Sequence, residues 1–240
     1  MAVFTTQSAR EIYRQRFPQV AQEKFEVIEN GYDEDGFEPQ KFNSIQSLEV
    51  KNRKITLLHS GGLYSEGRDP SAFFVALAGL KLRKIINAES LRIVLRAPSN
   101  ERHFQTLVLK YGIEDIVFIE THVSYQEALS EMLAADGLLV FQGMPFNSQI
   151  PAKIYEYFRA RKPIFGLLDI NGETARVLKS AGFDDMANMI SSSHIEQALE
   201  SFLSKIKTGK VYIASDDLVL SSSRKYRAKQ LAHIFNRVIY

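Results

Sequence analysis

Five short apolar runs recur along the middle of the chain: "KITLLHS" at 54–60, "LRIVLRA" at 91–97, "DIVFIE" at 115–120, "GLLVFQG" at 137–143 and "KPIFGLLD" at 162–169. Each has the length of a strand, and stretches of helical period follow at 70–87, 100–112, 124–135, 151–161 and 172–182. Strand then helix, repeated with short polar joints, predicts a parallel sheet with right-handed crossovers, because parallel neighbours need a long connection that returns over one sheet face. The near-continuous hydrophobicity of the runs suits strands buried on both faces. The pattern therefore predicts an α/β fold, a doubly wound parallel sheet in a single Rossmann-like domain. Helix punctuation agrees: Asp69 and Pro70 precede one helical stretch, Ser124 stands three places before Glu127 at another, and Gly182 follows the "ETARVLKSA" segment.

The flanks read differently. "SAREIYRQRF" is a short basic helix, "KFEVIENGYDEDGFEP" a strand followed by a loop with Asn30, Gly31, Asp33 and Gly36, and 42–53 a polar connection. At the other end "SSRKYRAKQLAHIFNRVIY" predicts an amphipathic helix with Tyr226, Leu231, Ile234, Phe235 and Val238 on its apolar face. The chain divides accordingly into 1–50, 51–220 and 221–240. Apolar surface at 1–20 and 226–240 is expected to pack within the molecule or in a homodimer.

Charge and composition exclude several classes. Lys and Arg number 30 against 28 Asp and Glu, a net charge of +2 that does not suit a nucleic-acid partner. The basic runs "KLRK" at 81–84 and "SSSRKYRAK" at 221–229 read as solvated helix faces. With no Cys there is neither a disulfide nor a thiolate metal site. No apolar run reaches 18 residues and "MAVFTTQSAR" lacks a signal-peptide layout, so the expected location is the cytoplasm, with at most peripheral membrane association.

Ligands of open α/β sheets collect at the carboxyl ends of the strands. After the first strand, "HSGGLYSEGRDP" offers Gly61 and Gly62 for close backbone approach, Arg68 as a forked cation and a helix start at Pro70, a combination suited to phosphate. It is equally a turn in which the glycines bend the chain and Arg68 pairs with a carboxylate. The dinucleotide pattern G-x-G-x-x-G is absent. After the fourth strand, "NSQIPAKIYEYFRARKP" places Lys153, Tyr155 and Glu156 in the first turns of a helix begun by Pro151. Glu156 could accept from a ribose diol or serve the helix N-terminus electrostatically, and Lys153 could neutralise phosphate or lie along the surface. Tyr157 and Phe158 read as core.

The order "ALSEMLAADGLLVF", "IPAKIYEYFRARKPIFGLL" and "GETARVLKSAG", with "KFEVIENGYDEDGFEP" before it, resembles the carboxyl-terminal, donor-binding half of retaining GT-B glycosyltransferases of the family-four type, over nearly the whole chain. The resemblance implies a donor-binding domain for a nucleotide-diphosphate sugar at 51–220, preceded by the end of an acceptor domain and followed by a crossing helix. Gly62 matches the family glycine and Arg68 the family lysine, while Leu63 stands where the family has an arginine, so Lys153 would have to supply the second cation. Glu156 matches the ribose glutamate, and the first family glutamate falls on Ser148. By the same resemblance the base lies against Thr121 and His122, while the amides near Gln149 and Ile150 and the loop at Gly172 and Glu173 lie close to sugar and phosphates. No metal or other cofactor is implied, "SDD" at 215–217 reads as a turn or cap, and no catalytic base is assigned. A domain of this kind awaits an acceptor domain or a separate acceptor subunit. The competing reading is a non-catalytic interaction module with a degenerate nucleotide site, suggested by Leu63 and Ser148.

Overall fold

Alternation within each apolar run decides which face of the sheet a side chain joins, and the helices between the runs seal both faces. The computed structural model describes residues 1–37 and 53–239; most of the 42–53 connection and the side chain of Val238 lie outside the described residues. Strands β3 (Ile55–Ser60), β4 (Leu91–Arg96), β5 (Val117–Glu120), β6 (Gly137–Gln142), β7 (Ile164–Leu168) and β8 (Met186–Asn188) form one parallel sheet in the order β5-β4-β3-β6-β7-β8. Leu57, Ile93, Leu95, Leu139, Phe141, Phe165 and Leu167 face one core. There they meet helices α2 (Ser71–Leu82), α3 (Glu101–Lys110) and α7 (Ser192–Lys207). Their neighbours one residue away, Leu58, Val94, Leu138, Val140, Ile164 and Leu168, face the other core. That one is closed by α4 (Tyr125–Ala134), α5 (Lys153–Ala160), α6 (Glu173–Ser180) and α8 (Asp216–Ser221).

All five expected strands and their following helices are present, each shortened at its ends. The expected capping box forms: the Ser124 side chain accepts from the Glu127 amide, and the Glu127 carboxylate accepts from the Ser124 amide. Ser215 caps α8 with Asp216 and Asp217 in its first turn, as "SDD" suggested. Strands β1 (Ala2–Phe4) and β8 and helices α7 and α8 were not anticipated. The signal for α7 was present, since Ser191 caps a helix whose Ile195, Leu199, Phe202 and Ile206 recur at helical spacing and are buried.

Before the main sheet lies a small unit: β1 (Ala2–Phe4), α1 (Gln7–Arg16) and β2 (Phe25–Val27), with β1 and β2 parallel. Helix α1 buries none of its residues completely. Phe4 packs between Tyr13 and Phe25, whereas Val3, Ile12, Tyr13 and Phe17 remain exposed, so the expected packing of apolar surface at 1–20 is met only in part within the chain. Helix α9 (Arg224–Ile239) similarly buries Ile234 but leaves Tyr226 and Phe235 exposed. The loop between β2 and the main sheet is tied to the start of α9, because the Tyr32 amide donates to the Ser222 carbonyl (3.1 Å) and its carbonyl accepts from the Arg224 amide (2.9 Å). At Gly31 an added Cβ would sit 2.7 Å from the Ser222 carbonyl oxygen, so only glycine permits this approach. Among the described residues no helix is long and apolar enough to cross a membrane.

Candidate functional site

The sheet order reverses between β3 and β6: the chain runs outward from β3 through β4 to β5, then returns to start again at β6 on the other side. A crevice opens beyond the carboxyl ends of two such strands, because their crossover helices lie on opposite faces. The turn after β3 and the segment after β6 therefore border one crevice, and they carry Gly61, Gly62 and Arg68 on one side and Lys153 and Glu156 on the other.

Contacts across that crevice are close. Lys153 donates from Nζ to the Ser60 carbonyl (2.6 Å), and a Cβ at Gly61, where φ is +122°, would lie 2.8 Å from that nitrogen. The glycine thus serves both backbone conformation and room for the ammonium. Arg68 donates from Nε to Gln142 Oε1 (2.9 Å) and from a terminal nitrogen to the Tyr64 hydroxyl (3.3 Å), with the rings of Tyr64 and Phe146 about its guanidinium. These partners are neutral, and no carboxylate among the described residues pairs with Arg68. Burial pushes Lys153 down to about 8, Arg68 adds to the depression, and Glu156 opposes it. Two cations held this close repel each other, and an anion between them would relieve the repulsion.

Leu63 is 1% exposed and belongs to the core beneath α2, so the position at which the resemblance led one to expect an arginine points into the apolar interior here. Beneath the turn lies a residue that sequence reading passed over, His59, also 1% exposed. Its Nδ1 lies 3.0 Å from the Leu139 carbonyl, to which it must donate, while Nε2 has no hydrogen-bond partner among the described residues. Burial, then the charge of Lys153, holds the imidazole well below its usual pKa, leaving it neutral under the two cations. A lone polar residue inside "TLLHS" was the available signal.

Glu156 is half-buried in the first turn of α5 and accepts from the Tyr125 hydroxyl at 3.0 Å. Its neighbours Ile154, Tyr155, Tyr157 and Phe158 are all buried, the last two as expected. Thr121 and His122 are exposed after β5, with the Thr121 carbonyl held by Arg96 (2.7 Å), itself paired with Glu131.

The remaining residues lie in the segments that follow β6 and β7, where several polar groups already have partners. The Gln149 amide donates to the Phe146 carbonyl, that of Gly172 to Asp169, and that of Glu173 to Asn147. Ile150 is buried. The Ser148 carbonyl accepts from the Thr6 hydroxyl (2.8 Å). Glu173, 5% exposed, accepts from the Ser8 amide (2.8 Å) and hydroxyl (2.6 Å) and from Arg176 (2.5 Å). Burial alone would raise its carboxyl, but the Ser8 and Arg176 bonds outweigh it and hold the group below the usual range. Ser148 and Glu173 thus fasten the start of α1 to the main domain. Both contacts join residues more than 140 positions apart, beyond the reach of local pattern.

No protein-family model and no characterised protein sequence matches this chain. Solved structures do match. WaaG, a glycosyltransferase involved in lipopolysaccharide biosynthesis, superposes with a TM-score of 0.67 over 97% of this chain at 18% identity. The lipopolysaccharide outer core galactosyltransferase WaaB does so at 0.67 over 98% and 14% identity. The Anabaena protein HepE, in complex with UDP and glucose, matches at 0.61 over 98% and 14% identity. The six-stranded domain has the Rossmann-like fold found within GT-B glycosyltransferases. The chain spans 61%, 61% and 62% of the lengths of those three proteins.

Proposed function

We propose that the chain is a glycosyltransferase donor-binding domain of the retaining GT-B type, which takes a nucleotide-diphosphate sugar at the crevice between β3 and β6. The observation that carries this reading is the convergence of Arg68, Lys153 and Glu156 at the one place where the sheet order reverses. In it, Arg68 and Lys153 hold the diphosphate and stabilise its charge as it leaves, Glu156 clasps the ribose diol, and Thr121 and His122 border the base. Ser148, Gln149, Ile150, Gly172 and Glu173 form the wall on the sugar side. Sugar transfer also needs an acceptor, which we assign to an additional domain or subunit covering the exposed Val3, Ile12, Tyr13 and Phe17.

A second reading is favoured by Leu63, which buries an alkyl side chain where the resemblance led one to expect a cation: an interaction module that keeps the fold without binding a donor. Isothermal titration with UDP, GDP, ADP, CMP and dTDP separates the two. Saturable binding of one of them, lost in Glu156→Ala, supports the donor domain; heat of dilution alone for all five supports the module.

A further inference from the structure

The bond between Tyr125 and Glu156 points beyond the anion-binding end of the crevice. Tyr125 is the first residue of α4, and the reciprocal Ser124–Glu127 capping box fixes where that helix begins. The residue is 50% exposed, yet one edge of its ring is backed by the chain: a Cβ at Gly36 would lie 3.1 Å from Cε1 and 3.3 Å from the hydroxyl oxygen. The hydroxyl reaches across to α5 and donates to Glu156 Oε1 at 3.0 Å. An ionised carboxylate has about four acceptor positions, so one bond from Tyr125 leaves room for both hydroxyls of a vicinal diol while removing freedom from the side chain. The charged groups that approach the tyrosine from other elements are Asp33 in the loop after β2 and Arg224 at the start of α9. Burial and the Glu156 carboxylate push the phenol up to about 12, so it stays a donor at neutral pH.

We propose that Tyr125 is the positioning residue for the nucleoside: its hydroxyl fixes Glu156 for the ribose diol, and its exposed ring face stacks the nucleobase. This rests on the donor-binding reading and adds to it a residue that contacts one end of the ligand and orients the group contacting the other. Fixing Glu156 lowers the entropy lost when the diol is bound, and a ring held at the head of a capped helix is ordered before the base arrives.

The test is isothermal titration of the full chain with UDP, GDP and ADP, with the 2′,3′-dideoxy form of whichever binds, and with inorganic pyrophosphate. Tyr125→Phe should weaken the nucleotide with the diol by about three- to tenfold and leave its dideoxy form unchanged. Tyr125→Ala should weaken both forms by a further tenfold or so, as base–aromatic stacking requires, with pyrophosphate affinity constant throughout. A merely structural tyrosine would not change the ratio between the two nucleotides. Equal weakening of both by Tyr125→Phe, or no change in either, overturns the role of the hydroxyl; equal behaviour of the Phe and Ala variants overturns stacking. If none of UDP, GDP, ADP, CMP and dTDP binds the unaltered chain, the donor-binding reading fails and takes this inference with it, whereas nucleotide binding that is lost in Glu156→Ala but indifferent to Tyr125 overturns this inference alone.

Discussion

The six-stranded domain and the β1–α1–β2 unit are both built from parallel strands joined by a helix, yet one is sealed and the other is not. In the first, helices cover both sheet faces and leave Phe141 and Phe165 wholly inside. In the second, a single helix lies against two three-residue strands, and α1 has no buried residue. Two parallel strands with one crossover supply too few contacts to stand alone. The small unit therefore borrows its position from the larger one, through Thr6 on Ser148 and Ser8 on Glu173. What differs is whether apolar burial or a few long-range polar contacts sets the geometry.

The sharpest way to break that contrast is to truncate one apolar side chain in each region. Phe141→Ala should cost about 3–5 kcal/mol in urea unfolding, through lost burial and a cavity between the sheet and α2. The exposed Ile12→Ala should change stability by no more than about 0.5 kcal/mol; a loss comparable to that of Phe141 would mean that α1 is covered. Next in size is Leu63→Arg, which places a cation at an interior position. It should destabilise by several kcal/mol, on the order of the cost of an unpaired buried charge, and give no gain in pyrophosphate affinity.

Glu173→Ala should have a more local effect. It strips the Ser8 amide and hydroxyl of a charged acceptor, a change worth about 1.5–3 kcal/mol per such bond at most. Amide exchange in α1 should accelerate while that of β6 stays as it was; acceleration in both would show that the small unit is part of the main cooperative structure.

The two regions should also part at opposite ends of the pH scale. Glu173 has a folded-state pKa below its usual 4.5, so its contribution is complete above that value and is lost as pH falls through the folded one, loosening α1 first. Lys153 titrates near 8 in the fold against an ordinary 10.5. Raising pH through 8 removes the charge that would hold a diphosphate, so affinity should fall by pH 9, and Lys153→Met should flatten that dependence. The unfolded chain binds more protons between 8 and 10.5, so stability itself should rise over that interval. Affinity that is level from pH 7 to 9 would remove Lys153 from the site.

Much of this arrangement was legible before any coordinates. Strand length, hydrophobic continuity and alternation with helical segments are local properties, and they yield the five strands and the doubly wound fold. The capping box at Ser124 and the buried Tyr157 and Phe158 were equally local. Gly61, Gly62, Arg68, Lys153 and Glu156 stood out because they follow the carboxyl ends of strands, where open sheets of this type bind their ligands. The sequence did not announce β8, whose three residues are too few for a pattern, and α7 was missed although its spacing was regular.

What the chain determines by itself is which segments are strands, which faces of them are apolar, and where polar loops interrupt the series, because these follow from neighbours a few residues apart. Partnership is decided only by the tertiary structure. It turns Leu63 inward, sets His59 beneath two cations, gives Glu173 to Ser8 instead of leaving it open, and brings Tyr125 to Glu156. The physical reason is that burial and hydrogen bonding depend on the strand order β5-β4-β3-β6-β7-β8. That order places residues from distant parts of the chain within a few ångströms, and no periodicity in the sequence encodes it.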